Sequence, residues 1–260
     1  MMISKSDIIT TDKYYNAFPK DYFRIDVVAS RTSIHWMGKT HCPPSIRRKL
    51  LITGHGDTGV TDNLVPMYSP EVWWTVNKET TDPRVHSLPL GITNDCSDTP
   101  IHPIFGNLDI MVEVMNTPRI IKNRVYMNFN VSTWPVERSP VYNYFKDSKW
   151  VTCGNILNTL EGRKVFLEDI HNHDFVLCPR GGGVDTHRLW ETLYMGSIPI
   201  VRRDIAMQDF SDLPICFVDY WDQVTPEFLD SELKRIQNGV FNMEKLKISY
   251  WIKAIQDSIS

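Results

Sequence analysis

The residues best suited to chemistry lie in one short stretch, between predicted strands at 175–178 and 198–201. Gly181–Gly183 follow the first strand, and glycine lets a backbone turn tightly and approach a ligand closely. The next helix is expected to begin near Asp185 or Thr186, because either residue can cap it. This order of elements predicts one strand–helix–strand unit of a parallel sheet. Ligands of such sheets bind beyond the carboxyl ends of the strands, so we expect a binding site at this loop.

The charged residues around the loop favour a ligand that carries both phosphate and sugar groups. Bare amides of Gly181–Gly183 at a helix N-terminus favour an anion. Arg180 and Arg188 flank that point, and a guanidinium suits a phosphate better than an ammonium does. Glu191 lies about two helical turns further on, where it can accept hydrogen bonds from a ribose diol. The sequence therefore predicts a nucleoside diphosphate site, and the alternative is a tight turn whose arginines are solvated.

Spaced positions in this stretch resemble the signature of exostosin-type glycosyltransferases, which are glycosyltransferase family 47 and its relatives. The matching positions are Pro179-Arg180-Gly181, Asp185-Thr186, Arg188, Glu191-Thr192-Leu193 and Gly196-Ser197-Ile198-Pro199. The resemblance implies a GT-B fold and a nucleotide-sugar donor. It also implies inversion at the anomeric carbon, by direct displacement with a base acting on the acceptor hydroxyl.

The resemblance also implies how the chain is organised. We expect an α/β protein of GT-B-like architecture, with two Rossmann-like domains and a cleft between them. Because 260 residues are few for that fold, the N-terminal domain should be reduced. We predict an acceptor-side domain over 1–120 and a nucleotide-sugar-binding domain over 121–240. A C-terminal helix over 241–260 is expected to cross back to the N-terminal domain, as it often does in GT-B proteins.

A second glycine-rich loop supplies the candidate catalytic base. It spans Gly54–Gly59, follows a predicted buried strand at 49–53, and contains His55 and Asp57. If the diphosphate lies on the C-terminal domain, the base must come from across the cleft. We choose Asp57, because a carboxylate partly shielded from water suits acid–base work near neutral pH. His55 is second because imidazole titrates near neutrality, and Asp95 is third. The alternative is that Asp57 only satisfies its own turn.

A loop rich in Asn, Ser and Thr over 130–138 leads into Arg138. It resembles the first phosphate-side loop of a GT-B C-terminal domain. Ser132 and Arg138 are therefore further candidates for contact with the donor. The alternative for Arg138 is a solvated arginine at the start of a helix.

The sequence gives no indication of a metal cofactor. It contains no D-x-D, the motif with which metal-dependent GT-A transferases hold Mg²⁺ or Mn²⁺ on the diphosphate. Arginines and helix amides are expected to neutralise the leaving group instead. His171 and His173 lie in a predicted polar loop without a third ligand. The five cysteines include no C-x-x-C pair, which favours reduced thiols in a cytoplasmic setting.

Composition narrows the classes of partner. A formal net charge of -3 does not suggest a nucleic-acid partner. No apolar stretch reaches the length of a membrane span, and the N-terminus lacks a signal-peptide core, so a cytoplasmic location is expected. The 8 Trp can stack on sugars if they are exposed in a cleft. For each single Trp, however, a place in the core is the simpler interpretation.

Taken together, these patterns predict an inverting, metal-independent glycosyltransferase that moves a hexose or pentose from a nucleotide donor to a glycan hydroxyl. The family resemblance favours UDP as the nucleotide, with UDP-xylose among the candidate donors. One alternative is a non-catalytic module that binds a nucleotide or a carbohydrate. Another is a hydrolase using Asp57 and His55, which the absence of a G-x-S-x-G motif disfavours.

Overall fold

Two parallel β-sheets organise the chain. The computed structural model describes residues 3–18, 25–27, 48–54, 57–94 and 102–260. His55 and Asp95 therefore lie outside the described residues. In the described part the chain alternates strands with helices, which is the pattern of an α/β protein.

The N-terminal half carries a four-stranded parallel sheet in the order β1-β2-β4-β6. Its strands are β1 (Ile25–Val27), β2 (Arg48–Thr53), β4 (Pro70–Thr75) and β6 (Val85–Ser87). A separate parallel pair joins β3 (Val60–Thr61) to β5 (Lys78–Glu79). The helices of this half are α1 (Thr11–Ala17), α2 (Leu64–Tyr68), α3 (His102–Phe105) and α4 (Leu108–Met115).

The C-terminal half carries a five-stranded parallel sheet in the order β11-β10-β9-β7-β8. Its strands are β7 (Asn123–Met127), β8 (Val151–Cys153), β9 (His173–Leu177), β10 (Ile198–Arg202) and β11 (Cys216–Val218). The helices are α5 (Pro135–Phe145), α6 (Leu160–His171), α7 (His187–Tyr194), α8 (Pro226–Gln237) and α9 (Ile248–Asp257). Short 3₁₀ turns lie at Val131–Thr133, Ile205–Phe210, Trp221–Gln223 and Met243–Leu246.

Strand β9 lies in the middle of the C-terminal sheet, between β10 and β7. Phe175 and Leu177 are completely buried, as expected for a strand covered on both faces. The strand begins at His173, so the predicted polar loop at 171–174 is wrong. The His173 ring lies 2.9 Å from Thr152 Oγ1 and 2.6 Å from the Asp169 carbonyl oxygen. Burial lowers the pKa of His173, so this imidazole is a neutral part of the core.

The predicted C-terminal helix also differs from the structure. The segment over 241–260 is not one continuous helix. Lys247 adopts an extended conformation between the 3₁₀ turn and α9.

Helix α9 packs against the N-terminal half of the chain. The Ile248 amide donates to the Asp7 carbonyl oxygen at 2.8 Å. Trp74 Nε1, on β4, donates to Ser258 Oγ at 3.0 Å, and the Trp74 and Trp251 rings meet edge to face at 6.4 Å. One hydrophobic cluster therefore includes buried residues of both halves. Among the described helices, none has both the length and the apolar composition required to cross a membrane.

Candidate functional site

A cavity of about 610 Å³ lies in the cleft between the two halves. Loops that follow strands of both parallel sheets line it, as is usual for ligand sites in α/β proteins. Asp57 follows β2 and Asn77 follows β4, whereas Gly181–Gly183 follow β9. The cleft therefore brings together the two glycine-rich loops that the sequence singles out.

The second and third glycines of the 181–183 loop are required by contact with the N-terminal half. A Cβ atom at Gly182 would collide with the Asp57 carboxylate, and one at Gly183 would lie 2.5 Å from Asn77 Nδ2. Glycine thus allows a close approach between two parts of the chain.

The geometry of this loop differs from the predicted helix N-terminus. The Gly181 amide donates to the Gly183 carbonyl oxygen at 3.0 Å, and helix α7 begins only at His187. Thr186 is the N-cap residue of α7 but makes no side-chain capping hydrogen bond. The Gly181–Gly183 amides are therefore not the amides of the helix N-terminus. An anion at that end of α7 would meet the first residues of the helix instead.

Asp185 connects the two halves of the chain. Its buried carboxylate accepts a hydrogen bond from the Leu90 amide at 2.7 Å and another from Trp190 Nε1 at 2.8 Å. Its own amide donates to Asn77 Oδ1 at 2.8 Å. Burial raises the pKa of Asp185 to about 7, and the hydrogen bonds oppose this rise. Asp185 borders the cavity, but these three hydrogen bonds bind it to the protein itself and make it a link between the halves.

His187 makes a similar connection further along the chain. Its Nδ1 lies 2.7 Å from the Gly91 carbonyl oxygen. Burial is the main cause that lowers its pKa, so the ring is neutral near pH 7. A neutral ring that donates from Nδ1 keeps Nε2 as an acceptor.

Two buried or half-buried arginines, Arg138 and Arg188, line the cavity, and neither forms an ion pair with a described carboxylate. Arg138 instead donates to the carbonyl oxygens of Arg180 at 2.8 Å and Asn130 at 2.9 Å. Arg188 lies over the Phe166 ring at 5.6 Å, and its Nε is shielded from solvent without a partner.

The two arginine charges repel each other. Burial and, second, the charge of Arg188 lower the pKa of Arg138 to about 10, so Arg138 remains charged at neutral pH. The C-terminal wall of the cleft thus carries two positive charges without ion-pair partners among the described residues. An anion placed between them would relieve this repulsion.

Two of the predicted donor residues, Arg180 and Ser132, are not among the residues that line the cavity. The Arg180 guanidinium donates to the Gly182 carbonyl oxygen at 2.9 Å and lies over the Trp134 ring at 4.8 Å. Ser132 Oγ donates to Asn130 Oδ1 at 2.7 Å within an exposed 3₁₀ turn. Both side chains thus have local partners that keep them out of the cleft.

Glu191 lines the cavity and is bound by an arginine that was not among the candidates from sequence. Glu191 Oε1 lies 2.5 Å from Arg163 Nη1. Arg163 is fully buried, and its Nε and Nη2 have no hydrogen-bond partner. The sequence did contain a signal, because Arg163 shares the apolar face of α6 with Phe166 and Leu167, three and four residues later.

Asp57 belongs to the N-terminal half and borders the cavity where that half meets the glycine loop. The structure leaves it exposed, so the shielding from water that was expected from its loop is absent. Its neighbour His55 lies outside the described residues. Of the candidate bases, only Asp57 can therefore be placed at the cleft.

Apolar side chains line part of the cavity, and these are Phe105, Ile156, Leu157 and Phe166. A flat surface of this kind can cover a nucleobase. The described residues include no group of three His, Cys, Asp or Glu side chains that could hold a metal ion.

The two parallel sheets, the helices around them and the cleft at their carboxyl ends define an α/β protein of GT-B-like architecture, as predicted. No family model matches the chain, and no curated protein matches it either. The resemblance to exostosin-type enzymes thus stays a prediction.

Among solved structures, the chain is similar to an alpha1,3-fucosyltransferase with GDP-fucose. The TM-score is 0.44 and the identity 15%, over 83% of this chain and 79% of that chain. It is also similar to a second structure of an alpha1,3-fucosyltransferase, with a TM-score of 0.38 and 13% identity over the same shares of the two chains.

Proposed function

We propose that the protein is a glycosyltransferase that binds a nucleotide sugar in the cleft and transfers the sugar to a glycan hydroxyl. One observation carries the proposal: Arg138 and Arg188 line the cavity from the C-terminal half without a carboxylate partner among the described residues, and Asp57 lines it from the N-terminal half. This arrangement offers cations for a leaving group and a base for an acceptor. The resemblance of the 179–199 stretch to a glycosyltransferase signature points the same way.

The diphosphate of the donor belongs near Arg138 and Arg188 in this proposal. Charge-assisted hydrogen bonds from Arg188 would bind the phosphate oxygens, and Arg138 would contribute mainly its charge because its donors already bind carbonyl oxygens. The same charges stabilise the diphosphate as it leaves. We therefore propose transfer without a metal ion, with UDP as one candidate nucleotide and GDP as another.

We place the nucleoside of the donor, its ribose and its base, beside Glu191. Glu191 Oε1 binds Arg163, and Oε2 has no hydrogen bond to a described residue. Glu191 Oε2 can therefore accept from a ribose hydroxyl. The apolar surface of Phe105 and Phe166 can cover the base. Neither feature selects one base, so both nucleotides belong in the test.

Asp57 is the proposed base of an inverting transfer. Its carboxylate takes the proton of the acceptor hydroxyl while that oxygen forms a bond to the anomeric carbon. The bond from the anomeric carbon to the phosphate oxygen breaks in the same step. Its electron pair leaves with the diphosphate, towards Arg138 and Arg188. The exposure of Asp57 fits this role, because an acceptor glycan must reach it from solvent.

Nucleotide binding tests the proposal directly. We expect UDP or GDP to raise the melting temperature, since a ligand at a hundred times its dissociation constant stabilises by about 2.7 kcal/mol. Arg188→Gln should weaken that binding by about 10- to 100-fold, the value of a charge-assisted contact of about 1.5–3 kcal/mol. Lys253→Gln, which removes an exposed charge on α9, is the matched control. Equal binding by Arg188→Gln and the parent would reject the phosphate role.

Turnover separates the enzyme from the alternative functions. We expect release of nucleotide from UDP-sugars, including UDP-xylose, or from GDP-sugars, faster when a glycan acceptor is present. This release should survive excess EDTA. A protein that binds nucleotide without turnover would be the non-catalytic module, and one that transfers sugar only to water would be the hydrolase.

A further inference from the structure

A second hollow, of about 410 Å³, lies outside the cleft. The residues that line it are Arg202, Arg203, Asp219, Tyr220 and Trp221, and none of them lines the cleft cavity. The hollow lies where β10 and β11 end, because Arg202 is the last residue of β10 and Asp219 follows the last residue of β11. It is therefore a separate concavity on the edge of the sheet from which the cleft loops arise.

The hollow presents aromatic surface. Tyr220 is 71% exposed, although a phenol ring of this size usually packs against other groups. The neighbouring Trp221 is half-buried, and its indole Nε1 is shielded from solvent without a hydrogen-bond partner. A ring face can cover the C–H face of a pyranose.

The charges of the hollow are paired. Arg203 Nε lies 3.2 Å from Asp219 Oδ1, and Arg202 Nη2 lies 3.4 Å from Glu137 Oε2. The arginines of the cleft differ, because Arg138 and Arg188 form no ion pair with a described carboxylate. Paired charges favour a neutral ligand over an anion, because both arginines of the hollow already have a carboxylate partner. The guanidinium groups and the carboxylate still offer donors and an acceptor to hydroxyl groups.

The hollow is close to the cleft. The sheet order places β9, which leads into the glycine loop, next to β10, and β10 next to β11. Adjacent strands are about 4.8 Å apart, so the ends of β9 and β11 are separated by about 10 Å. A chain of sugars could span this distance along one edge of the sheet.

We propose that this hollow is a subsite for a neutral oligosaccharide, held by stacking on Tyr220 and by hydrogen bonds to Arg203 and Asp219. We assign to it the part of the acceptor that is remote from the reacting hydroxyl, and this assignment rests on the proposed glycosyltransferase function. Binding of the oligosaccharide itself does not depend on a nucleotide.

Direct binding tests the subsite. The probes are cellohexaose, xylohexaose, mannohexaose and maltohexaose. Their binding is measured by calorimetry and by tryptophan fluorescence, in the absence of nucleotide. We expect saturable binding of at least one probe. Tyr220→Ala should weaken that binding by about three- to tenfold, as expected for the loss of an aromatic contact. The matched control is Tyr144→Ala, which removes a 55% exposed tyrosine outside the hollow.

A second variant tests the hydrogen bond separately from the ring. Asp219→Ala keeps the Tyr220 ring and removes the exposed carboxylate acceptor, so it should also weaken binding relative to Tyr144→Ala. The melting temperature of each variant shows that it is folded. The proposal is overturned if no probe saturates at millimolar concentration, or if Tyr220→Ala and Tyr144→Ala bind equally well.

Kinetics test the acceptor role. With a hexasaccharide that accepts sugar, Tyr220→Ala should raise the KM for acceptor and leave the kcat close to that of the parent. An unchanged KM would overturn the acceptor role and leave the binding result standing. Absence of any transfer by the parent protein would instead reject the proposed function, while the nucleotide-free binding data would still decide whether the hollow binds sugar.

Discussion

Glu191 Oε1 lies 2.5 Å from Arg163 Nη1, on side chains that are almost entirely removed from solvent. The partners come from two helices of the C-terminal half, α6 and α7. Breaking a buried pair of this kind is costly, because the remaining charge stays buried without compensation. Glu191 therefore supports the fold as well as facing the cavity. A substitution at this position is therefore expected to affect stability as well as donor binding.

We expect Glu191→Gln to lower the free energy of unfolding by about 3 kcal/mol, in addition to raising the KM for donor. The cause is the Arg163 guanidinium, which would remain buried without its carboxylate. Urea unfolding measures the change. Glu244→Gln is the control, because Glu244 pairs with Lys247 at the surface, where an ion pair is worth less than about 1 kcal/mol.

A double substitution separates the buried charge from the loss of packing. Arg163→Met with Glu191→Gln removes both charges, and it should recover part of the stability lost in Glu191→Gln alone. If Glu191→Gln unfolds at the same urea concentration as the parent, the ion pair does not stabilise the fold.

We expect Asp57→Asn to bind the donor normally and to reduce kcat by roughly 10²- to 10⁴-fold, the usual value of general-base catalysis. The amide keeps the shape of the side chain beside Gly182 but cannot take a proton. Asp109→Asn, a change at an exposed acid far along the chain, is the control for a lost negative charge. A kcat near that of the parent would eliminate Asp57 and direct the search to His55 and then to Asp95.

A matched pair of glycine substitutions tests the contact between the two halves. Gly183→Ala should lower the free energy of unfolding by about 1–3 kcal/mol, because its Cβ would lie 2.5 Å from Asn77 Nδ2. Asn77 cannot move freely, since its Oδ1 accepts a hydrogen bond from the Asp185 amide. Gly181→Ala should change stability by less than about 1 kcal/mol, because its nearest neighbour is Arg138 Nη2 at 3.3 Å. Equal effects of the two changes would argue against a close contact at Gly183.

The raised pKa of Asp185 should make the stability of the protein depend on pH. Burial raises its pKa to about 7 in the folded protein, whereas an unfolded aspartate titrates near about 3.9. The folded state therefore holds a proton that the unfolded chain releases. The resulting stability is fully present below about pH 4 and is lost as the pH rises through about 7. At about 1.4 kcal/mol for each pH unit, the loss is on the order of 4 kcal/mol.

Asp185→Asn provides the comparison, because the amide does not titrate. Urea unfolding of both proteins between about pH 4 and about pH 8 gives the difference in unfolding free energy between parent and variant. As the pH rises, the free energy of unfolding of the parent should fall relative to that of Asp185→Asn. Parallel curves for the two proteins would show that Asp185 does not titrate with the raised pKa in the folded state.

Much of the fold around the site could be predicted from local patterns. The apolar run before Pro179 predicted strand β9, and a helix was expected after the glycine loop, where α7 lies. The loop between them was located by its glycines. The reason for the glycines could not be predicted, because Gly182 and Gly183 meet Asp57 and Asn77, which belong to a distant part of the chain.

The sequence pattern around each charged residue also could not predict whether its side chain points into the cavity. Arg180 and Arg188 flank the same loop and have the same chemistry, yet Arg188 lines the cavity and Arg180 lies over Trp134. No local pattern identified Arg163 as the partner of Glu191. A sequence gives the type of each charged residue, but its partner depends on which elements pack beside it.

The sequence by itself determined the parallel α/β units, the loop after β9 and the supply of arginines and carboxylates. These depend on hydrophobic periodicity and on glycine, which act over a few residues. The tertiary structure alone decided that Glu191 pairs with Arg163 and that Arg138 and Arg188 form no ion pair with a described carboxylate in the cleft. Ion pairs and burial depend on distances through space between distant segments, and these distances exist only once the two sheets and their helices have packed together.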